Sequence, residues 1–589
     1  MLLFNAAASL QALLRRFAPV VLLTFCKSPP MNPITLQNIA QALWMKEYDV
    51  AKIPPHLLRR IDSAANSEAA YAERFLLRLK QLEENQLSFV PGRAERYALL
   101  RQHLQQTKAM SPREFYASCL FLGPESNTGY APIPLDPQFT FPQIDLPQLQ
   151  HQLGWHFFVG NFTDAGGHHY SVELMFWQYA LLPPPLAAEL GLSEIENQSL
   201  EMHLAVCDPQ TGLQYRANTV VVAGTTGLVE VESDPFAYRI GRNAIEGIGA
   251  DGGLFPVRLQ ARGWDMGKPV DVEFGIDISL DNPKGYFKQG DGGCSPSIDG
   301  LGTLYYSASL LKLRPGAANL ITIDGKRIEL TDGSMWYDHQ WTAGFMPKGG
   351  ARHAVLRAAG NLAPAPPGGW DWFEVQFQAG LETGLAEVQM TISALHSLGN
   401  AQFYWQTGAT PPGTMTARFN GKYIDADNGA FDVAGTLAVT AWVKDVTSPN
   451  PAVYPATDTW YPAHYHFSID PPLPKVPPVP RRLRAFTLEP LIATGQSGFF
   501  GTGLQYTEGG AIARDVDGVE IGRGFAEGTN WAHSADTVVN AAGLVASEQT
   551  RALLDPVPPS AQLVVESMAY TQANAEELQQ IIGSAKGLG

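Results

Sequence analysis

Past Trp155 the chain is a succession of strand-length apolar runs separated by short glycine- or asparagine-containing clusters, a texture that predicts antiparallel β-structure. Trp155–Phe162 and His168–Tyr179 flank Asp164-Ala165-Gly166-Gly167 and predict a hairpin. Asp208-Pro209-Gln210-Thr211-Gly212 predicts a second. Asp324-Gly325, Asn420-Gly421 and Asp517-Gly518 predict further turns, because such dipeptides tolerate positive φ. Hairpins at short intervals without intervening helices imply antiparallel barrels or sandwiches. Before Pro132 the period changes. Tyr71, Phe75, Leu79 and Leu82 mark one apolar helical stripe, and Ser111-Pro112-Arg113-Glu114 is a capping box with proline at the first helical position.

These patterns divide the chain. Residues 1–30 read as a leader or an over-extended N-terminus, residues 31–132 as a helical region that packs on the rest, and residues 133–150 as loop. Two β-domains are expected over 150–345 and 346–572, and a short closing helix over 573–589. At roughly 150 residues per domain, the 589 residues have room for about three or four. Leu362–Gly369 reads as a surface insertion and Pro471–Pro480 as a stiff connector. No period of about 20–50 residues recurs, which disfavours solenoids and propellers.

Composition narrows the partners. Hydrophobic residues make up 45% and charged residues 17%, the balance of a folded globular chain. The net charge of -16 repels phosphate backbones, so nucleic acid is not an expected partner. Cys26, Cys119, Cys207 and Cys294 have no CxxC spacing and read as buried thiols. The apolar run Phe17–Phe25 behind Arg15-Arg16 is too short to span a bilayer and lacks a small-x-small cleavage site. The expectation is a cytoplasmic chain starting near Met31, without stable membrane insertion, with periplasmic or secreted placement as the alternative. Nothing in the sequence marks an oligomeric state.

Familiar catalytic signatures fail on context. Gly247-Ile248-Gly249-Ala250-Asp251-Gly252 has GxGxxG spacing, but Pro256 blocks the helix whose N-terminus would hold a pyrophosphate, so it reads as a glycine loop. Gly495-Gln496-Ser497-Gly498-Phe499 lacks the last glycine of a nucleophile elbow. His464 and His466 share a strand face without a third ligand in sequence. No metal and no cofactor is expected.

One ordered series of motifs carries a resemblance. Gly154-Trp155-His156-Phe157-Phe158-Val159-Gly160-Asn161-Phe162 resembles the E-W-W-Y-x-x-G-x-L opening strand of the AttH/CrtC-like family, which includes carotenoid 1,2-hydratase (hydroxyneurosporene synthase). Tyr170–Trp177 is similar to its second strand and Tyr305-Tyr306-Ser307 to its YYS strand. Trp336-Tyr337-Asp338-His339-Gln340-Trp341 is similar to W-M-D-H-E-W, and Gly369-Trp370-Asp371-Trp372-Phe373 to G-W-D-W-F. The resemblance runs over about 150–380. It implies a mainly β fold of two lipocalin-like antiparallel barrels, here preceded by the helical region, and a pocket for an apolar, often polyene, small molecule. Gly154, His156 and Gln340 depart from the pattern, so no role of the family residues at those positions transfers.

The candidate site follows from these motifs. Asp338, His339 and Tyr337 are the catalytic candidates, and Trp341, Trp336, Trp155, Tyr306, Trp370 and Trp372 the substrate-binding ones. Strand alternation puts Tyr337, His339 and Trp341 on one face and Trp336, Asp338 and Gln340 on the other. Asp338 and His339 therefore share one lumen only with a bulge, or with a pocket between the barrels. Three functions remain open. An acid such as Asp338 protonates an isolated double bond, and His339 positions or deprotonates the water that adds. A pericyclase folds a linear polyene and polarises it through His339 or Tyr337. A carrier uses the cavity alone.

Overall fold

The computed structural model describes residues 59–84, 101–115, 129–342, 367–397, 415–444, 460–471 and 479–529, apart from short internal stretches. The expected leader at 1–30, the closing helix at 573–589, Cys26, Cys119 and most of the 471–480 connector lie outside the described residues. Described residues before 129 are largely helical. Helix α1, Glu68–Glu84, buries Tyr71 and Phe75 of the apolar stripe.

After residue 129 the described residues are mainly β, with short helices at Pro184–Glu189 and Ala223–Thr226. The first sheet begins with β1 (Leu153–Asp164), β2 (His169–Ala180), β3 (Gln198–Asp208) and β4 (Leu213–Val222). It continues with β5 (Val229–Ser233), β6 (Phe236–Ile240), β7 (Asn243–Gly247), β8 (Val257–Trp264) and β9 (Asp271–Leu280). It ends with β10 (Phe287–Lys288), β11 (Cys294–Ser295), β12 (Thr303–Leu313), β13 (Leu320–Ile323) and β14 (Lys326–Thr342). These 14 strands run β4-β3-β2-β1-β14-β12-β9-β8-β7-β6-β5, with the remaining short strands paired alongside. The sheet curls around one apolar core yet leaves β4 and β5 unpaired with each other, so it is an open half-barrel.

The second sheet has nine strands. They are β15 (Pro367–Phe377), β16 (Val388–Ser397), β17 (Met415–Ile424), β18 (Ala430–Lys444) and β19 (Trp460–Ile469), then β20 (Ala485–Pro490), β21 (Ser497–Gly501), β22 (Leu504–Asp515) and β23 (Glu520–Thr529). Pairing of β20 with β22 closes the path into a ring around its own core, with β21 outside the ring.

Local sequence explains which strands sit where. In β9 the buried and half-buried positions alternate, as expected when only one face meets a core. β1 and β2 have no such alternation, and almost every residue in them is buried. Their even-numbered residues, such as Phe158 and Phe176, enter the first core. Odd-numbered ones face the second sheet. There Trp155 stacks over Trp370 at 6.4 Å, and Trp372 donates its indole N–H to the Tyr305 hydroxyl at 3.1 Å. Ser334 and Gln376 exchange hydrogen bonds at 2.8 and 3.1 Å across the same seam.

Most expected turns hold. Asp164–Gly167, Asp208–Gly212, Asp324-Gly325 and Asp517-Gly518 each join paired strands, and Asp324 and Gly325 both have positive φ. Two expectations fail. Asn420-Gly421 is not a turn but the middle of β17, paired to β16 on one side and β18 on the other. Ladders on both sides satisfy the backbone there, and that outweighs the local preference of the dipeptide. Pro367–Gly369 belongs to β15 rather than to an insertion. The Gly247–Gly252 stretch is a tight loop, where a Cβ on Gly247 would sit 2.1 Å from the Gly253 carbonyl oxygen.

Candidate active site

The 17-residue strand β14 delivers two different chemistries to its two faces. Its pairing with β1 runs without irregularity from Thr342 to Asp332, and with β12 from Thr342 to Tyr337. Tyr337, His339 and Trp341 thus enter the half-barrel, while Trp336 and Asp338 face the seam with the second sheet. The three catalytic candidates are not brought together.

Inside the half-barrel a different carboxylate meets His339. Residues 137–150 form a strap across the end of the barrel, and a 3-10 turn at Gln143–Asp145 points Asp145 inward. The Tyr306 hydroxyl bonds Asp145 Oδ1 at 2.6 Å and lies 3.2 Å from His339 Nδ1. Tyr286 reaches Asp145 Oδ2 at 3.4 Å, and the Tyr337 hydroxyl lies 3.5 Å from that of Tyr306. His156 stacks on His339 with ring centroids 3.9 Å apart, and its Nε2 bonds the Asp145 carbonyl oxygen at 2.7 Å. Phe139, Phe141 and Phe255 pack on Tyr306, Trp341, Tyr286 and Tyr337 around these groups.

Burial sets the protonation states. Loss of water raises the Asp145 carboxyl to about 7, and the bonds from Tyr306 and Tyr286 pull it only partly back. Burial likewise holds His156 down at about 4, and His151 at about 4. His339 lies well below its ordinary value, first by desolvation and then by the neighbouring His156 and His151 rings; a bond to the Ile144 carbonyl works the other way. Near neutrality a protonatable acid therefore faces a neutral imidazole through one phenol. With Asp145 protonated, its O–H donates to the Tyr306 oxygen, and the Tyr306 O–H donates to His339 Nδ1.

The seam-side groups are arranged otherwise. Asp338 accepts from Tyr305 at 2.6 Å, from Ser307 at 2.5 Å and from the Trp336 indole at 2.7 Å, and burial raises it to about 7. Ser307 in turn accepts from Gln289 at 2.9 Å. A carboxylate surrounded by three donors, each fixed in a strand, ties strands together. Trp155 stacks on Trp177 at 4.9 Å, and Trp370 donates to Glu527 at 2.7 Å. Of the substrate-binding candidates, Tyr306 and Trp341 stand beside His339, and Trp155, Trp336, Trp370 and Trp372 lie in the seam. Among the described residues no set of three or more His, Cys, Asp or Glu side chains is placed to hold a metal ion.

Asp145 and His156 were missed from sequence. Asp145 carried one signal: it sits among Phe139, Phe141, Ile144 and Leu146, more apolar bulk than a solvated loop needs. Residues 133–390 match the family model described as AttH-like. The AttH-like stretch contains the strap, the whole half-barrel and β15. Similar solved structures include a candidate AttH protein of Nitrosomonas europaea, 15% identical, covering 68% of this chain and 99% of its own at a TM-score of 0.46. Another is kievitone hydratase from Nectria haematococca, 12% identical, covering 70% of this chain and 99% of its own at a TM-score of 0.41. No curated protein matches the chain.

Proposed function

We propose that the chain is an enzyme acting on an apolar polyene, terpenoid or polyketide-type small molecule, and that it hydrates or cyclises a C=C bond inside the half-barrel. The observation that carries this reading is the Asp145–Tyr306–His339 relay, a protonated acid and a neutral base joined through a phenol within aromatic walls. Asp145 transfers its proton to one alkene carbon, leaving a carbocation on the other. Tyr337, Trp341 and Tyr286 present π faces to that cation. In hydration, a water adds to the cation and gives its proton to His339. Tyr306 returns that proton to Asp145 and closes the cycle. In cyclisation, a second double bond attacks in place of water, and His339 takes the proton lost from the ring. The substrate reaches the acid from the strap side, where Phe141 is 41% exposed and stacked 4.2 Å from Tyr286.

The test uses a panel of acyclic isoprenoid polyenes and prenylated phenols in heavy-oxygen, deuterated water. Hydration puts both labels into the product and cyclisation puts in deuterium alone. A pericyclic closure, in which Tyr337 or His339 only polarises a dienophile, puts in neither and survives Asp145→Asn. Loss of turnover in Asp145→Asn and Tyr306→Phe, with Asp338→Asn still active, is the expected result; an active Asp145→Asn defeats the acid assignment. Tight binding with no change in mass or isomer across the panel identifies a carrier.

A further inference from the structure

We infer that His156 is a positioning residue that latches the acid-bearing strap to the barrel and holds Asp145 in line with Tyr306 and His339; this rests on the reading of Asp145 as the acid. The latch is one hydrogen bond, 2.7 Å from His156 Nε2 to the Asp145 carbonyl oxygen. A carbonyl only accepts, so Nε2 carries the hydrogen and Nδ1 is bare. The other bonds at this turn are local to the strap: Ile144 N–H to Thr140, Asp145 N–H to Pro142 and Leu146 N–H to Gln143. They shape the turn without attaching it to the barrel. Attachment near Asp145 comes from its own side chain, from the His339 bond to the Ile144 carbonyl, and from His156. The first two belong to the reacting groups, whose bonds change when a proton moves. Gln178 and Lys288 hold the strap's main chain further out, at Gln148 and Pro137; at Asp145 itself His156 anchors the main chain, through a ring that takes no part in the transfer.

The ring is itself fixed. It is 1% exposed, stacks on His339 and meets Tyr238 edge-on at 5.4 Å. The titratable groups facing it are His339, Tyr337, Tyr238 and Asp145. Two imidazoles 3.9 Å apart cannot both carry a charge cheaply. A neutral His156 therefore leaves the single positive charge available to His339 when it accepts a proton.

Three measurements test the latch without a known substrate. In the wild-type chain, nitrogen NMR of His156 should show the Nε2–H tautomer; an Nδ1–H tautomer overturns the proposal, whatever any variant does. His156→Phe keeps the ring and removes the donor, while His156→Gln retains an N–H donor. In His156→Phe, amide exchange at Ile144, Asp145 and Leu146 should accelerate about five- to tenfold, the loss of one hydrogen bond, with β9 and β23 unchanged. The Asp145 carboxyl, identified in infrared spectra by its loss in Asp145→Asn, should titrate closer to the ordinary carboxylate range. His156→Gln should restore both readouts. Unchanged exchange and titration in His156→Phe, or no rescue by His156→Gln, overturns the latch. Should these hold while wild-type protein turns over none of the polyenes, the proposed function fails and the latch stands.

Discussion

Asp338 carries an electrostatic cost that a stability measurement can read. Its carboxyl is 1% exposed, and burial moves it from 3.8 to about 7 against the opposing pull of Ser307, Tyr305 and Trp336. Roughly three units at about 1.4 kcal/mol each give on the order of 4 kcal/mol between the ionised group's cost in the folded and unfolded chains. Between about pH 4 and pH 7 the folded chain keeps this proton while the unfolded chain has released it. The folded state binds more protons, so raising the pH across that window lowers stability. The contribution is complete below about pH 4 and lost above about pH 7. Asp338→Asn abolishes the titration at nearly constant volume. The amide oxygen can still accept from Ser307 and Trp336, but the NH2 in place of Oδ2 meets the Tyr305 hydroxyl donor and leaves its hydrogen unpaired, at a cost of about 1–3 kcal/mol. The variant should be the less stable protein near pH 4, and the gap should close or invert by pH 8. Urea unfolding followed by tryptophan fluorescence, with Trp336 and Trp372 as nearby reporters, gives the stability at each pH. Parallel pH curves for wild type and variant would refute the claim that burial holds this carboxyl protonated.

Other outcomes follow from the seam and the turns. Glu173 on β2, Glu508 on β22 and Glu527 on β23 meet across the seam. Burial and then the Glu527 charge raise Glu173 and Glu508, while burial raises Glu527 to about 8, with Asp338 and Asp371 adding to it and bonds with Trp370 and Glu508 working the other way. Stability should fall as pH rises from the ordinary glutamate range through these raised values, with exchange in β2 and β22 accelerating above about pH 8. A Glu173→Gln, Glu508→Gln double variant should flatten that response, and an unchanged alkaline slope counts against it. Gly247→Ala drives a Cβ into a backbone oxygen 2.1 Å away and should cost about 2 kcal/mol or more, whereas Gly275→Ala in β9 meets nothing within 4 Å and should be neutral or slightly stabilising. Equal melting temperatures for the two variants would contradict the crowding at Gly247.

The mainly β architecture, four of the turns and the division of β14 into two faces were legible in the sequence, because alternation and turn chemistry are local properties. Alternation alone separates Tyr337, His339 and Trp341 from Asp338, and the register of β1, β12 and β14 keeps that separation. Tertiary structure decided which acid meets His339. Asp145 comes from a loop and joins Tyr306 across 161 residues, and no periodicity links positions that far apart. The pairing of Asn420-Gly421 in mid-strand was likewise set by neighbours on both sides, which a dipeptide cannot announce. A strand's own sequence fixes which way each side chain points. The chain that arrives from elsewhere fixes what it meets, and that contact sets burial, protonation and the chemistry available.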